Sequence, residues 1–199
     1  MAKRKPKTVK VPESDNVFQF KITLKYIAPP IWRRFVVPDS YTLGDLHGII
    51  QVVMGWENDH LHAFRIGGTN YLGQEPFSMN NTRITMEDAD DVLLKDVFLR
   101  PKQRFSYEYD FGDSWQHEIV VEKVLPFDPQ AKYPVCLDGA RACPPEDCGS
   151  YPGYDDILAA LKAKKKTEEQ EERLEWVGDG YDPERFDLKA VNKQLAGTR

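Results

Sequence analysis

The chain has 199 residues, 41% hydrophobic and 12% aromatic, enough to bury one substantial core in a single domain. Its net charge of −5 hides an asymmetry: Lys3, Arg4, Lys5, Lys7 and Lys10 stand in an opening decade without acids, and removing those five charges leaves −10 on the rest. An acidic body disfavours broad phosphate-backbone binding by the folded part. The lack of an apolar run near about eighteen residues, or of a cleavable leader, speaks against a membrane span and a secretory signal, so the expected compartment is the cytoplasm.

Residues 1–16 read as a disordered basic tail, whose Lys and Arg side chains are the part of the chain suited to nucleic acid or another acidic partner. Residues 17–199 read as one domain. "VFQFKITLKYI" alternates Phe18, Phe20, Ile22 and Leu24 with polar residues, which predicts a strand with one buried face. "APPIWRRFVVP" predicts a turn and a second strand ending at Pro38. In "TLGDLHGIIQVVMGW", Thr42 suits an N-cap with Asp45 at N3. Leu46, Ile49, Ile50 and Val53 form an apolar stripe, and Gly55 suits the stop of a helix lying across the sheet.

"HLHAFRIGGTNYL" predicts a hairpin around Gly67-Gly68, and residues 73–91 predict a long loop with little periodicity. The clearest hairpin is "RFSYEYDFGDSWQHEIVVEKVL". There Phe105, Tyr107, Tyr109 and Phe111 alternate before Gly112-Asp113, and Trp115, His117, Ile119 and Val121 alternate after it, so both aromatic sets share a face. The C-terminal third reads as helical, with Thr167 and Gln170 as a capping box and Asp187 as a further cap. Strands first and helices last predict an α+β fold with a largely antiparallel sheet.

Chemistry-bearing groups concentrate in three stretches. The hairpin tip holds Asp110, Asp113 and His117, all explicable by turn geometry and by a hydrogen-bonded core histidine. His60 and His62 would point the same way on a strand and could share a metal, with thiols as the obvious further ligands. Cys136, Cys143 and Cys148 lack zinc-knuckle spacing and contain no CxxC, which favours buried thiols over a zinc or redox site. In "CLDGARACPPEDCGSYPGYDD" the prolines and glycines predict a rigid surface loop. Glu146 and Asp147 could cap it or hold a cation, and Asp155-Asp156 fit the first turn of the next helix. No P-loop, GxGxxG, GxSxG or HExxH is present.

In chain order, "FQFKITLKYIAPPIWRRFVVP", "HLHAFRI", "YEYDFGDSWQHEI", "CLDGARACPPEDCGSYPGY" and "FDLKAVNKQL" resemble the plasmid pRiA4b ORF-3-like family, some of whose members are labelled passenger proteins of mobile elements. The resemblance implies a compact α+β fold and supplies no reaction and no catalytic residues. Ser150 stands where the family pattern usually has a second glycine, a departure that is cheap only if the position avoids positive φ.

The leading expectation is a binding or accessory module without a required cofactor. Its groove, lined by hairpin aromatics such as Trp115 and edged by Glu146 and Asp147, would contact a protein or nucleic-acid partner. The competing expectation is a metal-dependent hydrolase or nuclease, with zinc or manganese, using His60, His62, Asp110, Asp113, His117 and Glu146.

Overall fold

The computed structural model describes residues 14–73, 86–98 and 100–197, the side chain of Met86 excepted. The basic residues Lys3 to Lys10 and most of the 73–91 loop lie outside that set. Among the described residues, an eight-stranded sheet organises the fold. Its strands are β1 (Asn16–Leu24), β2 (Trp32–Pro38), β3 (His62–Ile66), β4 (Thr69–Leu72), β5 (Met86–Asp88), β6 (Arg104–Tyr109), β7 (Trp115–Pro126) and β8 (Val135–Ala140). They lie in the order β5-β4-β3-β6-β7-β1-β2-β8, antiparallel throughout except for the parallel β4–β5 pair.

The alternation in β1 does what its period implies. Phe18, Phe20, Ile22 and Leu24 are buried on the helix-covered face, while Gln19 hydrogen-bonds Glu122 of β7 on the other. A bulge between Gln19 and Phe20 shifts the register against β7 and leaves the alternation intact.

Helix α1 (Leu43–Met54) covers that buried face. Thr42 and Asp45 close a reciprocal capping box, and Gly55 ends the helix at φ 92°, a conformation that glycine adopts without a side-chain clash. Leu43, Leu46, Ile49, Ile50, Val53 and Met54 join the strand residues in one core. A single 3-10 turn (Ala89–Asp91) follows β5 at the end of the stretch read as a loop, and the short helix α2 (Leu94–Val97) lies just beyond it.

The C-terminal third supplies α3 (Ser150–Lys162), α4 (Glu168–Val177) and α5 (Leu188–Leu195), but it is not helical throughout. It opens with the edge strand β8, paired to β2 with a bulge between Arg34 and Phe35. The six residues of β8 contain Gly, Asp and Cys and lack a clean alternation, so pairing in three dimensions decides their conformation. The side chain of Asn192 in α5 stands beside the strand, accepting from Cys136 N at 2.8 Å and donating to Cys136 O at 2.9 Å.

α3 begins at Ser150, about one turn earlier than its acidic pair suggested. Ser150 follows Gly149, and Pro152 lies in the first turn, where its missing N–H costs nothing. Asp155 and Asp156 therefore sit in the second turn, and Asp156 faces Arg173 of α4 at 3.5 Å. Ser150 itself takes φ 63°, the conformation in which a second glycine would be unstrained. Its hydroxyl donates to Asp113 O at 2.6 Å and offsets part of that cost.

On the helix-covered side of the sheet, Arg33 is a buried guanidinium with no carboxylate partner among the described residues. Arg33 of β2 donates to Val53 O (2.7 Å), Trp32 O (2.8 Å), Ala140 O (2.9 Å) and Arg141 O (2.7 Å), touches Cys143 Sγ at 3.7 Å, and stacks under Phe186 at 4.1 Å. It ties the end of α1 to β2 and to the exit of β8.

Candidate functional site

Three segments far apart in sequence meet at one end of the sheet: the strap 56–62, the hairpin tip 109–115 and the loop 143–151. Trp56 stacks on Tyr109 with ring centroids 4.9 Å apart and donates its indole N–H to Pro144 O at 3.0 Å. Glu146 accepts from Glu57 N at 3.1 Å and from the Tyr109 hydroxyl, which in turn accepts from Asp59 N at 3.2 Å. Tyr151 accepts from Gln116 N at 3.0 Å and packs its ring against Trp115. Glu146 thus pins the loop to both other segments. Its negative charge, after burial, pushes the Tyr109 hydroxyl well above the ordinary tyrosine range.

The hairpin connection spans Asp110 to Ser114, both at φ 55°, so the strand alternation stops at Tyr109. Phe111 consequently points to solvent instead of joining the aromatic face. Tyr107, Tyr109, Trp115 and His117 are fully buried, covered by α1, Trp56 and Tyr151. They form a core layer, not the wall of an open groove.

His117 hydrogen-bonds Tyr107 O at 3.3 Å through Nδ1. Burial lowers its pKa to about 3, so it is a neutral core histidine. Asp113 holds the loop through its backbone carbonyl, to which Ser150 donates.

The three thiols are buried and separate. Cys136 lies against Arg34 O and Asp138 O, Cys143 against Arg33 and Met54, and Cys148 against Ser150 O. Burial pushes them up to about 11, 11 and 12, which keeps them protonated and unreactive. Among the described residues, the groupings compact enough for a metal are His60–Asp110–Asp147 and Glu57–Asp59–Glu146, and neither includes His62, His117 or a thiol.

His60 precedes β3 and faces the hairpin and the loop, whereas His62, the first residue of β3, turns to α1. There it stacks on His47 with centroids 3.4 Å apart and planes 8° from parallel. The proton positions follow from the partners of His47. Asn58 Oδ1 can only accept, so His47 Nε2 carries the hydrogen toward it. His47 Nδ1 then accepts from the Tyr107 hydroxyl at 2.8 Å, which accepts from Gln51 Nε2 at 3.0 Å. Burial lowers His47 to about 4; burial and then the neighbouring His47 lower His62 to about 3.

His62 Nε2 is shut from solvent and has no hydrogen-bond partner among the described residues. His47, Asn58, Asp59, His60, His62 and Asp90 are among the walls of a cavity of ≈ 370 Å³. Gly73 completes that wall: a Cβ there would sit 2.2 Å from His62 Cε1. His47, Asn58 and Asp90 escaped the sequence reading. The available signal was a pair of polar residues, His47 and Gln51, four apart on an apolar helix face.

With this geometry in hand, comparison with known proteins places the chain. An uncharacterised protein, y4hQ, from Sinorhizobium fredii (strain NBRC 101917 / NGR234) is 36% identical over 183 residues, covering 90% of this chain and 91% of its own. The crystal structure of MM3350 from Methanosarcina mazei Go1, a protein of unknown function, superposes with a TM-score of 0.79 at 37% identity, covering 89% of this chain and 98% of its own. The model of the plasmid pRiA4b ORF-3-like protein family matches residues 16–190, and the chain belongs to that family.

Proposed function

We propose that the protein is a binding module whose ligand is a small, donor-rich molecule such as an amine, taken up in the cavity between α1 and the strap 58–62. One observation carries the reading: His62 lines the cavity and carries a buried ring nitrogen that has no partner among the described residues. A buried polar atom without a partner costs about 1–3 kcal/mol, a penalty that a ligand hydrogen bond removes.

The surroundings suit the same chemistry. His47 spends both nitrogens on Asn58 and Tyr107, so it serves as a rigid floor that fixes the ring of His62. Neutral imidazoles with low pKa values keep an acceptor lone pair available at physiological pH. Asp59 and Asp90 add carboxylates to the lining and favour a ligand with positive charge. The volume lies near the lower end of the range of ordinary small-molecule sites, roughly 300–1,000 Å³.

The test is ligand-observed NMR with a panel of primary amines and polyamines, run on the wild type and on His62→Phe. Hits that bind the wild type and shift the His62 side-chain nitrogen, and that disappear in His62→Phe, support the reading. A panel that binds both proteins alike, or neither, counts against it.

A further inference from the structure

We infer that His60, Asp110 and Asp147 form a site for a divalent first-row transition cation, such as Mn2+ or Zn2+. The site shares His60 with the wall of the neighbouring cavity, but it is argued from different contacts and does not rest on the ligand proposed there. One nitrogen of His60 and one oxygen each of Asp110 and Asp147 all lie within 4.8 Å of one another, although the residues come from the strap, the hairpin and the loop. Ligands on a common metal at about 2.1 Å stand roughly 3 to 3.5 Å apart, so a small contraction closes the set.

The His60 ring already stands beside both carboxylates, with Nε2 3.3 Å from Asp147 Oδ1 and Nδ1 3.9 Å from Asp110 Oδ1. Its Nε2 is shielded from solvent and makes no hydrogen bond with any described residue despite that proximity. Asp110 is the fixed member. It is buried, its backbone bonds Leu61 O at 2.9 Å and Ser114 N, and its Oδ1 accepts from Gly112 N at 2.8 Å. Asp147 is the adjustable member, with an exposed side chain on a loop held in place by Glu146.

Charge points the same way. A buried carboxylate is costly unless paired. Among the described residues His60 is the one ion-pair partner of both Asp110 and Asp147, so two carboxylates share one imidazole. A dication would satisfy both. One imidazole and two carboxylates suit Mn2+, Fe2+, Co2+ or Zn2+ better than Ca2+ or a thiophilic ion, and three protein ligands leave coordination positions for water or a bound molecule.

The competing account is a plain ion pair, His60 held between two acids with no metal. Metal-free protein titrated with Mn2+ and followed by the loss of the free-ion EPR signal, then with Zn2+ by calorimetry, separates the two. Saturable binding at a single site per chain is expected, weakened by at least about tenfold in Asp147→Asn and in His60→Gln. Asp147 is exposed, so Asp147→Asn keeps its fold and melting temperature, and His62→Gln keeps its Mn2+ affinity. Absence of Mn2+ and Zn2+ binding in the wild type, undiminished binding in both variants, or Ca2+ competing as well as Mn2+ overturns the inference.

Discussion

Replacing Arg33 by Met tests what holds the C-terminal third to the sheet. The substitution keeps much of the apolar stem and removes every donor to Val53 O, Trp32 O, Ala140 O and Arg141 O. Each buried acceptor left without a partner costs about 1–3 kcal/mol, so four of them sum to roughly 4–12 kcal/mol if independent. Against this stands relief from burying a guanidinium with no carboxylate, worth several kcal/mol. The net expectation is a loss of about 3–5 kcal/mol, the size found when buried charged networks lose one member.

Equilibrium unfolding in guanidinium chloride measures it, with Arg33→Lys as the companion. An ammonium keeps the charge but has three donors and no planar fork, so its loss should fall between wild type and Met. The thiol of Cys143 gives a local readout, since it packs against the same guanidinium: loosened packing in Arg33→Met should open it to a disulfide reagent, against the smaller opposing effect of losing the Arg33 charge that favours its thiolate. A Met variant within about 1 kcal/mol of wild type, with Cys143 still unreactive, would refute the view that Arg33 is the strut of this region.

Two further outcomes can be measured. His47, His62 and His117 have folded pKa values of about 4, 3 and 3, all depressed, so the unfolded chain binds protons that the native state refuses. Stability is therefore highest above about pH 6.5 and falls through the acid range, by about 2 kcal/mol per histidine at pH 5. Urea titrations at pH 7 and 5 check this, and His117→Gln should lower the proton uptake on unfolding by about one. Tyr109→Phe strips a hydroxyl from Glu146 and Asp59 N. It should cost about 1–3 kcal/mol and raise proteolytic cleavage within residues 143–151, a pattern that limited proteolysis with mass spectrometry would record.

Much of the framework was legible because it rests on local chemistry. The alternation in β1, the Thr42–Asp45 box and the Thr167–Gln170 box each act within a few residues, and all three are present. What failed was decided at long range. β8 is a strand because β2 pairs with it, and α3 starts at Ser150 because the loop delivers Gly149 and Pro152 there, not because Asp155 and Asp156 favour a first turn.

The same distinction separates the site residues. Parity placed His117 on the aromatic face, and it is a core residue there. Nothing in the spacing of His60 and His62 reveals that β3 begins between them and sends their rings to different neighbours. The pairing of His62 with His47 spans fifteen residues and needs the helix to lie across the sheet. Phe111 missed its predicted face because a five-residue connection replaced the tight turn.

The Asn192 side chain beside β8 has a wider consequence. Its amide offers the strand one donor and one acceptor at Cys136, the complement that another strand would offer, and so acts as a one-residue stopper on the sheet. Because α5 carries it, closure of this edge waits on a helix that follows the strand well downstream in the chain. Until synthesis reaches that helix, the nascent sheet has a sticky border open to a second copy, and a truncation before residue 188 would leave it so permanently.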